Sequence, residues 1–161
     1  MTGGHSREQT HVRFSVSRVI AASRERVFDA WLDPAPRAAW WLNHEKEGPL
    51  LCEIDGRVGG RYRIEQHHDA PDMPEPPGYV WVIEGEFREV TRPERIVFTW
   101  NVNHQSEPVR DQMVTVEFRE VEGGTEVTLT HEGMFSPTLR EGTTAGWGWM
   151  LDNIAALFAR G

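Results

Sequence analysis

The sequence predicts an α+β fold: one antiparallel sheet of seven strands, with a long helix at the C-terminal end to cover it. Three observations lead there. Residues 12–20 and 50–132 carry seven segments in which apolar and polar side chains alternate, separated by tight turns. One side of those segments is rich in aromatic residues and the other is charged. Thr143 to Arg160 then changes to helical period, with Trp147, Met150, Leu151, Ile154, Leu157 and Phe158 spaced three and four apart. It is the only segment large enough to cover the aromatic side, so the sheet is expected to curl around it.

The elements follow in order. Val12 to Ile20 alternates, with Val12, Phe14, Val16 and Ile20 on one side and Arg18 intruding among them. Ser23 is the expected N-cap of a helix over Arg24 to Leu32, whose stripe is Val27, Phe28 and Trp31. Asp33-Pro34 breaks that helix, and a second short one is expected from Pro36 to Trp41. Leu50 to Asp55 is a brief strand, and Gly56, Gly59 and Gly60 supply turn positions after it. Arg61 to His68 alternates with Tyr62 and Ile64 inward, and the four prolines between Ala70 and Gly78 impose an irregular loop. Tyr79 to Val90 aligns Tyr79, Trp81, Ile83, Gly85 and Phe87; Arg95 to Val102 aligns Ile96, Phe98 and Trp100. Asn103 to Arg110 is a loop. Gln112 to Val121 points Val114, Val116 and Phe118 inward, Gly123-Gly124 turns the chain, and Thr125 to Glu132 aligns Val127, Leu129 and His131.

A chain of 161 residues is expected to form one domain over residues 12–161 after a disordered lead-in at 1–11. Its net charge of -8 would repel a phosphate backbone, which argues against nucleic-acid binding. Cys52 is the only cysteine, so no internal disulfide can form, which suits a reducing cytoplasm. No apolar run approaches the ~20 residues that span a bilayer, and the N-terminus lacks the apolar segment of a signal peptide.

Several local motifs, taken together and in order, are familiar. A Val16-x-Arg18-x-Ile20 strand leads into the Ser23–Trp31 helix and then Trp40-Trp41. Asp55-Gly56-Arg57-Val58-Gly59-Gly60 follows, then Gly85-Glu86-Phe87-Arg88-Glu89-Val90 and Arg92-Pro93-Glu94-Arg95-Ile96. Val114-Thr115-Val116, Gly124-Thr125, His131 and Gly146-Trp147 complete the series. The chain resembles, from Val12 to Arg160, the single-domain proteins related to the C-terminal domain of the activator of Hsp90 ATPase. These belong to the START-like (SRPBCC, Bet v 1-like) superfamily. The resemblance implies a helix-grip fold: a curved antiparallel sheet around a long C-terminal helix, two short helices after the first strand, and often a cavity between sheet and helix. Two departures stand out. Leu42-Asn43 replaces a frequent Gly-Pro after the paired tryptophans, and the Pro-rich loop is longer than usual.

Alternation and the resemblance together suggest a cavity lined by Trp81, Ile83, Phe98, Trp100, Leu129 and His131 from strands and by Trp147 and Leu151 from the helix, with Trp31 and Trp41 at its mouth. Such a lining suits a flat or lipid-like molecule of low polarity. The opposing reading is that these rings fill the core. His131 is the weak candidate for a general base or a donor to a ligand carbonyl; more often, an inward histidine is a satisfied core residue. Arg18 could hold an anionic head group, reach solvent, or pair with a carboxylate. Gly146 and Gly148 each disfavour a helix by about 1 kcal/mol relative to Ala, which points to a close approach there. His67, His68 and Asp69 invite a metal reading, but neighbours on a strand point to opposite sides, so no metal is expected. Glu84 and Glu86 face outward with Arg88, and Cys52 has no activating partner in sequence. No cofactor is implied.

Three functions compete. Non-catalytic binding of a small apolar or aromatic ligand ranks first. An enzyme of the START-like cyclase or hydrolase kind, acting on a polyketide or aromatic substrate through His131, alone or with Arg18, ranks second. Stimulation of an Hsp90-type ATPase ranks third, because the sequence carries no further N-terminal domain such as the full eukaryotic activator has. Edge strands could pair in a homodimer, though nothing in the sequence requires it.

Overall fold

A computed structural model describes residues 8–33, 51–67, 78–105 and 107–159 of the chain. The strands are β1 (Thr10–Ile20), β2 (Leu51–Ile54), β3 (Arg61–His67), β4 (Val80–Thr91), β5 (Arg95–Val102), β6 (Val109–Val121) and β7 (Gly124–Phe135). The helices are α1 (Arg24–Leu32) and α2 (Pro137–Ala159). The strands form one antiparallel sheet in the order β1-β7-β6-β5-β4-β3-β2. Six consecutive strands make a meander, and β1 closes the far side beside β7.

Register explains why the inner side is one continuous apolar surface. Phe87 lies opposite Phe98, Phe98 opposite Val114, Val114 opposite His131, and His131 opposite Phe14. This row crosses five strands, and every member of it is buried. Full burial of a Phe or Val side chain contributes roughly 1.5–3 kcal/mol, so such rows fix the register strongly. The outer side carries Arg–Glu pairs instead: Arg63 with Glu65 and Glu84, Arg95 with Glu89 and Glu117, Arg119 with Glu126. Glu84 and Glu86 do face outward, and Glu86 meets Arg88 at 3.3 Å.

Helix α1 is capped at Ser23, whose hydroxyl accepts from the Arg26 N–H, and it buries Val27, Phe28, Ala30 and Trp31. Helix α2 begins at Pro137, six residues before the expected start at Thr143 and nearly three turns before its apolar stripe. The Ser136 hydroxyl accepts from the Leu139 N–H, while Glu107 accepts from both the Ser136 N–H and its hydroxyl. Proline at the next position has no N–H to leave unpaired, so Ser136-Pro137 is a strong start. The buried part of the helix is Trp147, Gly148, Met150, Leu151 and Ile154. Both helices pack mainly on β1, β6 and β7. The turn between β6 and β7 is Glu122–Gly123, because Val121 already pairs with Gly124. The expected helix Pro36–Trp41 and the loop at 70–77 lie outside the described residues.

Candidate functional site

The inner face of the sheet divides into two parts. Under α2, Trp31 stacks on Trp147 at 6.2 Å between ring centroids, and Trp147 meets Trp100 at 5.0 Å. Ile83, Phe98, Leu129 and Leu151 belong to the same buried cluster, and even Trp100 is only 7% exposed. Eight of the expected lining residues (Trp31, Ile83, Phe98, Trp100, Leu129, His131, Trp147 and Leu151) are therefore packed against one another. Trp81 differs. It is half-buried on β4, packed against the edge of the cluster, and touched edge-on by His104 at 5.6 Å. Trp41 lies outside the described residues.

His131 sits in the middle of the packed part. Trp147 donates its indole N–H to His131 Nδ1 at 2.9 Å, so the ring proton resides on Nε2. Nε2 then donates to Gln112 Oε1 at 2.6 Å, and Gln112 Nε2 donates to the Met134 carbonyl at 2.8 Å. Phe14 stacks on the imidazole, while Phe135 and Trp100 meet it edge-on. Burial in this aromatic shell pushes the His131 pKa down to about 3, so the ring is neutral near pH 7. In this arrangement both ring nitrogens are engaged, and neither is presented to a substrate. Gly133 makes the arrangement possible. It lies at φ +154, and a Cβ there would stand 2.5 Å from Gln112 Cγ.

Arg18 occupies an inward position by alternation but does not enter the interior. Its guanidinium crosses Gly148 of α2 and reaches Asp152, Nε to Oδ1 at 2.8 Å, with both partners substantially exposed. A Cβ on Gly148 would lie 3.2 Å from Arg18 Nη2, so the close approach expected at this glycine is made by Arg18. Gly146 has open space around its missing Cβ.

Alternation alone could have found Gln112, since it continues the inward series of Val114, Val116 and Phe118. Gln66 likewise follows Tyr62 and Ile64 inward on β3 and lies directly opposite Trp81. Its Oε1 is shielded from solvent and, among the described residues, has no hydrogen-bond partner. Cys52 is half-buried on edge strand β2. Among the described residues no three His, Cys, Asp or Glu side chains are grouped so as to hold a metal ion. Among them, too, no helix is long and apolar enough to cross a membrane.

A seven-stranded antiparallel sheet holding one long C-terminal helix against its concave side defines a helix-grip protein of the START-like class. More particularly, the chain belongs to the activator of Hsp90 ATPase homolog 1-like family, whose model matches residues 21–159. Its fold is similar to that of an uncharacterized protein from Rhizobium leguminosarum, with a TM-score of 0.81, 21% identity, and coverage of 96% of this chain and 98% of that one. Protein CV1439 from Chromobacterium violaceum is 29% identical, with a TM-score of 0.73 and coverage of 91% and 96%. An Aeromonas hydrophila protein like the activator of Hsp90 ATPase is 28% identical, with a TM-score of 0.67 and coverage of 90% of each chain. No curated protein matches the sequence. A fold of this family supports a ligand-binding or co-chaperone-type role.

Proposed function

We propose that residues 12–161 act as one unit that binds a small, flat molecule of low polarity on the concave face of the sheet and leaves it chemically unchanged. The observation that carries this reading is the uneven filling of that face. Near α2 the rings close on one another, whereas Trp81 stays half-buried at the β3–β4 end, away from the main helix contacts. A half-buried tryptophan on a concave apolar surface is a typical ligand contact. The state of His131 favours binding over catalysis: a general base needs a free lone pair within reach of substrate, and this lone pair accepts from Trp147.

The test is native against denaturing mass spectrometry on freshly purified protein. A small molecule held in the native spectrum and released on denaturation is the expected result. A clean mass in both, combined with no saturable uptake of naphthalene-sized probes, would sink the reading. The family description favours a second function, stimulation of an Hsp90-type ATPase. Its check is the ATPase rate of such a chaperone with this protein in large excess; an unchanged rate removes it.

A further inference from the structure

We propose that Gln66 is the polar recognition point of the ligand, and that the ligand is a neutral aromatic molecule carrying one O–H or N–H donor. This rests on the binding reading above and narrows it to a chemical class.

The argument begins with strand geometry. In β3 the inward positions are Tyr62, Ile64 and Gln66, and in β4 the residues opposite them are Gly85, Ile83 and Trp81. Ile64 and Ile83 are buried and form an apolar floor one step inward. Trp81 faces Gln66 across the two strands, and the His104 ring lies against Trp81. This stretch of the face thus brings together an apolar floor, two aromatic rings and one carboxamide.

That carboxamide carries an unused acceptor. Gln66 Oε1 is buried and, among the described residues, meets no donor. Native proteins satisfy the great majority of such atoms, because a desolvated acceptor without a partner is unfavourable. Gln112, on the same side of the sheet, shows the satisfied state: its carboxamide uses both its oxygen and its nitrogen. A ligand O–H or N–H delivered beside Trp81 would satisfy the remaining oxygen. A ligand offering only acceptors, such as an ether, would leave that oxygen unsatisfied. An anion would also bring its charge into an apolar, aromatic setting at a large desolvation penalty.

The experiment compares two probes that share one ring system and differ by a methyl on the oxygen, 1-naphthol and 1-methoxynaphthalene, titrated calorimetrically into the full chain and into Gln66→Met. The wild type is expected to prefer 1-naphthol about tenfold, as one recovered hydrogen bond would give. In Gln66→Met the preference should shrink to about twofold or less, while 1-methoxynaphthalene binds as well as before. Equal binding of both probes by the wild type, or a preference that survives in Gln66→Met, overturns the assignment of Gln66 but leaves the binding site itself. Failure of both probes to bind saturably removes the site and the assignment together. A second readout needs no ligand. The melting temperature of apo Gln66→Met should equal or exceed that of the wild type, since an unpaired polar atom is removed without loss of volume. A drop of several degrees would show that Gln66 is already satisfied by the fold, and would overturn the proposal.

Discussion

Two glutamines face the inside of the same sheet and lead different lives. Gln112, 2% exposed, is the middle of a chain of hydrogen bonds running from the Trp147 indole through His131 to the Met134 carbonyl. Gln66, three strands away, is half-buried, and its oxygen has no donor among the described residues. The surroundings account for the difference. Gln112 is enclosed by α2, by the rings around His131 and by the space that Gly133 leaves. Gln66 lies toward the side of the sheet where the main helix contacts end. A buried polar group with all its bonds made is part of the architecture; one with a bond still to make is the exception that the proposed ligand would remove.

The sharpest way to break the closed side is His131→Ala. It opens a cavity among Phe14, Trp100, Phe135 and Trp147 and strands both the Trp147 N–H and the Gln112 oxygen. A loss of about 3 kcal/mol is expected in urea denaturation, whereas Gln66→Met should cost nothing. Acid acts on the same histidine. Between pH 6.5 and about 3 the unfolded chain binds a proton at His131 that the folded chain does not. Stability contributed by this neutral ring is therefore full above pH 6.5 and falls as the pH is lowered, by about 2 kcal/mol at pH 5. Denaturation curves at pH 7 and pH 5 measure the loss, and His131→Ala should not show it. A next smaller effect comes from Gly133→Ala, which forces a methyl toward Gln112 and strains a positive φ. About 2 kcal/mol is expected, with Gln66-dependent probe binding unchanged. The smallest contrast lies along α2. Gly146→Ala has open space and should stabilise by roughly 0.5–1 kcal/mol. At Gly148 the new methyl meets Arg18, so the gain should be cancelled or reversed, and thermal melts of the two variants will separate them.

Much of the sheet was legible because period-two alternation survives wherever one side is buried. Ile96, Phe98 and Trp100 on β5, and Val127, Leu129 and His131 on β7, face inward as expected. The start of α2 was not, because residues 137–146 are mostly exposed and carry no apolar stripe to mark a helix. The signal present there was chemical, a serine followed by proline. Arg18 shows a second limit. Alternation gives its side of the strand, but a long side chain can cross a glycine 130 residues later in the sequence and end on Asp152, as only the folded chain reveals. The two glutamines show a third. Their inward positions can be read from strand parity, yet which of them finds partners depends on how Trp147, His131 and Met134 come together from distant segments.

The clustering of Trp31, Trp100 and Trp147 also shapes how the molecule can be watched. Indole transition dipoles at ring spacings of 5.0 and 6.2 Å couple, so their circular dichroism records whether α1, β5 and α2 have assembled. Trp81 shares no such spacing with that trio among the described ring contacts, so a ligand bound beside Gln66 as proposed would be read in its emission. Dichroism of the trio would then report assembly, and the emission change lost in Trp81→Phe would report occupancy, without a label.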